Sequence, residues 1–137
     1  MKKAKLLGLS TILIAGSFVA AGCNSSSYQI GILLPVEQEA LETCQKGFVD
    51  GLVASGLSEG KDFKVVIRNA GGKDADLVSY AKDLVSSSSM TFGLGTGAAT
   101  ALKAAAVDVG SINPILFSAV TDPFGSSLVS SLELLSV

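Results

Sequence analysis

Three short stretches of this 137-residue chain carry groups able to meet a small charged molecule. The first is Gly-Leu-Gly-Thr-Gly-Ala-Ala-Thr, residues 93–100, in which Gly93, Gly95 and Gly97 alternate ahead of an alanine-rich run. A turn of this kind entering a helix offers unpaired backbone N–H groups and the positive end of a dipole, so it receives an anion without a basic side chain. Gly97, Ala98 and Ala99 have so little bulk that a carboxylate or phosphate can come close, and Thr96 adds a hydroxyl. The same letters satisfy Gly-x-Gly-x-x-Ala, the phosphate turn of dinucleotide enzymes, so a Rossmann-type enzyme domain using Gly93 and Gly95 is an alternative. A plain tight turn is a third reading. A dinucleotide turn belongs in the first βα unit, with an acid about twenty residues on. Here the motif follows the third candidate strand, and the first turn, Leu33 to Ala40, has no glycine.

The other two stretches are acidic. Thr121-Asp122-Pro123 suits a helix cap with proline as first helical residue, or a carboxylate and hydroxyl that hold a ligand ammonium. Glu37-Gln38-Glu39 offers a pair of carboxylates, which the dipole of a following helix also favours. General acid–base work by such acids needs a nucleophile or scissile group between them, and none is at hand. The chain has no histidine and only two cysteines, Cys23 and Cys44, which removes most zinc sites, Ser-His-Asp triads and Cys-His pairs. No cofactor or metal is implied, and the chain is read as a non-enzyme. Its net charge of −2 argues against nucleic acid as a partner.

The elements that must position these stretches alternate. Tyr28 to Pro35 reads as a buried strand. From Glu37 onward, Leu41, Cys44, Phe48 and Leu52 recur at helical spacing, with Glu37, Glu39 and Glu42 in the first turns. Cys44 on that stripe reads as a small buried hydrophobe, with a reactive thiol as the alternative. Residues 62–70 have the β-branched character of a second strand, and Leu77, Tyr80, Ala81 and Leu84 mark a second helix starting near Asp74 and Asp76. Residues 90–95 form strand three, residues 98–107 a helix of small residues, and residues 115–120 strand four. Residues 126–137 read as a fourth helix. Four strands alternating with helices at crossover spacing predict an α/β fold with a parallel, Rossmann-like sheet. Ligands of such sheets sit at the carboxyl ends of the strands, which gathers the loops 35–39, 95–99 and 118–123 on one edge.

The amino-terminal segment has a different purpose. Lys2, Lys3 and Lys5 precede an apolar run that ends at Ala20-Ala21-Gly22-Cys23, the pattern of a cleaved targeting signal. This site resembles the lipobox of bacterial lipoproteins, with Ala20 where leucine is more usual. The resemblance implies a signal peptide over residues 1–22, lipid attachment at Cys23 through diacylglycerol and palmitate-type chains, and a polar tether over residues 23–27. Two or more acyl chains hold a protein stably on a membrane surface.

The edge loops carry a further likeness. Val-Glu-Gln-Glu-Ala-Leu-Glu (36–42), Gly-Phe-Val-Asp-Gly-Leu (47–52), Gly-Leu-Ser-Glu-Gly-Lys-Asp-Phe (56–63), Gly-Thr-Gly-Ala-Ala-Thr-Ala-Leu (95–102) and the run from Phe117 to Glu133 resemble the lipoprotein substrate-binding proteins of bacterial ABC importers. The group in question is associated with tryptophan and tyrosine uptake. Two departures from its pattern are Gln38 for histidine and Gly97 for proline. The resemblance implies a type I periplasmic-binding-protein fold whose two lobes close on a ligand, with Glu37, Gln38, Thr96, Gly97, Ala98, Thr121 and Asp122 facing the cleft. It also implies an amino-acid-like solute, ABC permease subunits as partners, and an extracytoplasmic, membrane-anchored location. Residues 28–137 correspond to most of the first lobe only, so the chain is expected to be truncated, with weak binding or none by itself.

Overall fold

The computed structural model describes residues 28–130; the signal segment, Cys23 and the tether lie outside the described residues. Its elements run β1 (Tyr28–Leu34), α1 (Glu39–Ala54), β2 (Phe63–Asn69), α2 (Asp74–Ser87), β3 (Met90–Leu94), α3 (Thr96–Val109) and β4 (Ile115–Ser118). All strand pairings are parallel, in the order β2-β1-β3-β4. The α/β expectation therefore holds. From Ile30 to Leu34, β1 is a continuous apolar, buried run, as suits a central strand covered on both faces.

The two faces of β1 divide the core. Ile30, Ile32 and Leu34 pack with Phe63, Phe92, Leu94 and Leu41, beneath the α1 stripe of Cys44, Phe48 and Leu52. Leu33 packs on the other side with Ala81, Leu84 and Val85 of α2 and Ala98, Leu102, Ala105 and Ala106 of α3. Each leucine or isoleucine buried this way contributes about 1.5–3 kcal/mol. α1 thus covers one face, and α2 with α3 the other. The alanines of α3 let it sit close to the sheet: a Cβ built on Gly93 would stand 2.8 Å from the Ala99 Cα.

Several assignments differ from the sequence reading, among them β4, which ends at Ser118 where residues 115–120 were expected. α1 starts at Glu39, because Gln38 is extended (φ −151°, ψ 126°), so Glu37 precedes the helix. α3 runs from Thr96 to Val109, longer than residues 98–107. The expected fourth helix is absent over its described part: residues 123–130 form turns and bends. Leu128 and Val129 both donate to the Pro123 carbonyl, and Ser127 turns left-handed at φ 55°, which ends any helical progression. Residues 131–137 lie outside the described residues. Among the described residues no helix is long and apolar enough to cross a membrane.

Candidate functional site

α1 leaves the carboxyl end of β1 on one face of the sheet and α3 leaves the neighbouring β3 on the other, which makes the β1/β3 boundary the switch point of strand order. A crevice opens between diverging helices at such a point. Its walls are the β1–α1 and β3–α3 turns, and these touch. A Cβ on Gly95 would lie 3.7 Å from Pro35 Cγ, and one on Gly97 4.0 Å from Pro35 Cβ. The β4 exit joins them from the side, because the Gly95 N–H donates to the Ser118 carbonyl at 2.9 Å. The three predicted loops therefore meet on one edge.

The two helix starts differ electrically. α1 carries Glu39 and Glu42 in its first turn, which already answer the positive end of its dipole. α3 has no acid in its first turn, and its N-cap Gly95 offers no side-chain acceptor. The first N–H of α3 drawn into the helix is that of Ala99, donating to the Gly95 carbonyl at 3.1 Å. The amides before it are left for an outside acceptor. Gly97 is exposed and Thr96 half-buried, so both can face the crevice, whereas Ala98 is fully buried and its methyl belongs to the core under α3. The Thr100 hydroxyl donates back to the Thr96 and Gly97 carbonyls at 2.9 and 3.1 Å, fixing the turn.

Glu37 and Gln38 are exposed on the opposite wall, with no side-chain cap bond from Gln38 to its own helix. Thr121 and Asp122 are exposed at the β4 exit. Asp122 does act as a cap: its Oδ1 accepts the Gly125 N–H at 2.7 Å and its carbonyl accepts the Ser126 N–H at 3.0 Å, closing a turn where a helix was expected. Its second carboxylate oxygen carries no hydrogen bond to the described chain. The arrangement suits a zwitterion, with a carboxylate at the open start of α3 and an ammonium beside Glu37 or Asp122.

Two contacts were not legible in the sequence. Pro35 links the two turns, and the Cys44 thiol donates to the Ser118 hydroxyl at 3.4 Å, tying α1 to the end of β4. Helical spacing placed Cys44 on the apolar stripe but could not name a partner 74 residues away. Cavities of about 540 and 210 Å³ lie elsewhere, lined by Lys103 with Phe124 and Val129, and by Lys103 with Ile115, Phe117 and Leu128. They flank the segment after Asp122 and do not include the crevice. Among the described residues no group of acids and cysteine is arranged to hold a metal. Gly93 and Gly95 have structural work without a nucleotide, the one admitting α3 and the other turning at φ 84°.

The family described as ABC transporter substrate binding protein matches residues 29–136. A tyrosine-binding protein of Clostridioides difficile (strain R20291) is 29% identical over 150 aligned positions, covering 97% of this chain and 42% of that protein. Among solved structures, an ABC domain in complex with L-Trp from Streptococcus pneumonia superposes with a TM-score of 0.70 at 30% identity. A ligand-free, open substrate-binding protein with adhesive properties from Clostridium difficile gives 0.71 at 31%. A conserved domain protein of Vibrio cholerae gives 0.71 at 34%. Each of these three alignments covers 77% of this chain and 35% of the other, so the chain spans well under half the length of the relatives it matches. With a periplasmic-binding-protein-like sheet and a family match over nearly all the described residues, the chain belongs to the ABC transporter substrate-binding protein family.

Proposed function

We propose that the chain is a solute-binding component of an ABC importer, carrying an aromatic amino acid or a similar amino-acid-like ligand to permease subunits without turning it over. The observation that carries this reading is the acid-free start of α3, open at Thr96 and Gly97, on the same sheet edge as the exposed acids Glu37 and Asp122. The names of the relatives support the ligand class, one binding tyrosine and another solved with L-Trp. Residues 1–22 act as a signal peptide, and Cys23 carries the lipid that holds the protein on the outer side of the cell membrane. Residues 28–137 supply one lobe's contacts, in the order Glu37 and Gln38, then Thr96, Gly97 and the main-chain N–H alone of Ala98, then Thr121 and Asp122.

Amide-resolved NMR titration of the chain tests this. L-tryptophan and L-tyrosine are expected to shift the Thr96, Gly97 and Asp122 amides, and leucine to shift them less. Unmoved amides with every amino acid would overturn the reading, and a response to nicotinamide or flavin nucleotides abolished by Gly95→Val would replace it with the dinucleotide alternative.

A further inference from the structure

We infer that Ala119 is a positioning residue for the ligand-facing loop, and that its left-handed backbone, not its side chain, sets where Thr121 and Asp122 stand. The inference rests on the solute-binding reading of that loop. Ala119 directly follows β4 and has φ 57°. An L-residue with a Cβ enters this region at a cost, because the Cβ crowds the following carbonyl oxygen. Asparagine, aspartate and glycine enter it far more readily than alanine. Ala119 is exposed, so burial of its methyl group does not hold it there.

Anchors on both sides hold it. Before it, Ser118 is fixed twice: its carbonyl accepts the Gly95 N–H at 2.9 Å, and its hydroxyl accepts the Cys44 thiol at 3.4 Å. After it, Asp122 closes its turn through the Gly125 and Ser126 amides. That turn ends at Ser127, the second non-glycine residue with positive φ, whose carbonyl receives the Lys103 ammonium. Strain of this kind persists where the surroundings over-determine the conformation. An extended residue at 119 would prolong β4 past the sheet edge. The left-handed one breaks the strand direction there, so the Thr121–Asp122 loop stays beside the β3–α3 turn that β4 is bonded to.

Three substitutions test this in a Cys23→Ser background, where Cys44 is the one remaining thiol. The readouts are the alkylation rate of Cys44 with iodoacetamide and the L-tryptophan-dependent shifts of the Thr121, Asp122 and Gly97 amides. Ala119→Asn and Ala119→Gly, which accept the left-handed region, are expected to keep the alkylation rate within about twofold and to keep all three shifts. Ala119→Val is expected to raise alkylation roughly fivefold or more as the end of β4 loosens, and to lose the Thr121 and Asp122 shifts while keeping that of Gly97. A merely structural role would weaken all three amides together. If Ala119→Val does not fold, the other two still decide: disruption by asparagine and glycine alike would mean that the methyl group matters, and the inference fails. Ala119→Val indistinguishable from alanine in both readouts would also overturn it. If the parent chain shows no tryptophan shift while the alkylation rates follow the expected order, the solute reading fails and the positioning role stands.

Discussion

The two turns that wall the crevice are built on opposite plans. The β3–α3 turn is defined by its backbone: Gly93 admits α3 onto the sheet, Gly95 turns at φ 84°, ψ 160°, and the buried methyl of Ala98 pins the helix start. The β1–α1 turn has no residue with positive φ, and beyond Pro35 it is exposed through Glu37 and Gln38. A site that receives a group common to all its ligands, such as an amino-acid carboxylate, can use main-chain donors whose geometry the fold itself enforces. The group that varies, or needs an opposite charge, is met by side chains that can change without disturbing the sheet. Substitutions in the first turn should therefore cost stability, and those in the second should cost recognition.

The largest effect is expected at Gly93. A Cβ there meets the Ala99 Cα at 2.8 Å and the Ala99 N at 2.9 Å, both backbone atoms of α3. Gly93→Val must lift the helix from the sheet, at about 3 kcal/mol or more in denaturant unfolding. A loss below about 1 kcal/mol, the scale of an ordinary substitution, would mean that the turn is not limited by packing. Gly95 comes next and tests a different cause. Its Cβ would have room, 3.7 Å from Pro35 Cγ, but its φ and ψ lie in a region that is essentially glycine's alone. Gly95→Ala should therefore cost roughly 1–3 kcal/mol with no change in the contacts of α3.

These differences explain what the sequence disclosed. The parallel α/β order was legible because Leu41, Cys44, Phe48 and Leu52 keep helical spacing and β1 and β3 are largely apolar, and such patterns reflect burial directly. The three edge loops followed from the topology of such sheets. Ala119 was not legible, since alanine carries no preference for the left-handed region and the turn there is imposed by anchors on Ser118 from α1 and β3. A fourth helix was expected over residues 126–137. Gly125 and four serines in residues 126–131 weaken helical propensity there, and the bonds to Pro123 favour a compact turn. Ala98 was placed in the cleft for its lack of bulk, yet small residues are also what close helix–sheet packing needs, and in this chain they serve that purpose.

Gly97 separates the two plans within one turn. It is exposed, its φ is not positive, and an added Cβ would meet Leu77 Cδ2 at 3.7 Å, an ordinary contact. Gly97→Ala should therefore stabilise the chain by about 0.4–1 kcal/mol. It keeps the N–H, so binding of L-tryptophan should not weaken. Gly97→Pro is tolerated in a first helical turn but removes that donor. If the amide donates to the ligand carboxylate, affinity should fall roughly tenfold, the worth of one hydrogen bond to a charged group. Tryptamine, which lacks the carboxylate, should not discriminate between the two variants, and equal tryptophan affinities would place the carboxylate elsewhere.

The smallest effect on stability, with an effect on recognition alone, is expected at Glu37. It is exposed and stands before the N-cap Gln38, while Glu39 and Glu42 occupy the first turn of α1. The helix dipole therefore gives Glu37 little reason to exist, and Glu37→Gln should change unfolding free energy by less than about 0.5 kcal/mol. Its carboxylate can still attract a ligand ammonium, an exposed interaction worth up to about 1 kcal/mol, or roughly fivefold in affinity. Salt should erode that difference, because exposed charges are screened. Indole-3-propionate, which has the ring and carboxylate of tryptophan but no ammonium, should bind the parent chain and the Glu37→Gln variant equally. A loss of indole-3-propionate binding as large as the loss of L-tryptophan binding would mean that Glu37 shapes the β1–α1 turn and reads no charge. The contrast between a wall of backbone and a wall of side chains would then reduce to one of glycine content alone.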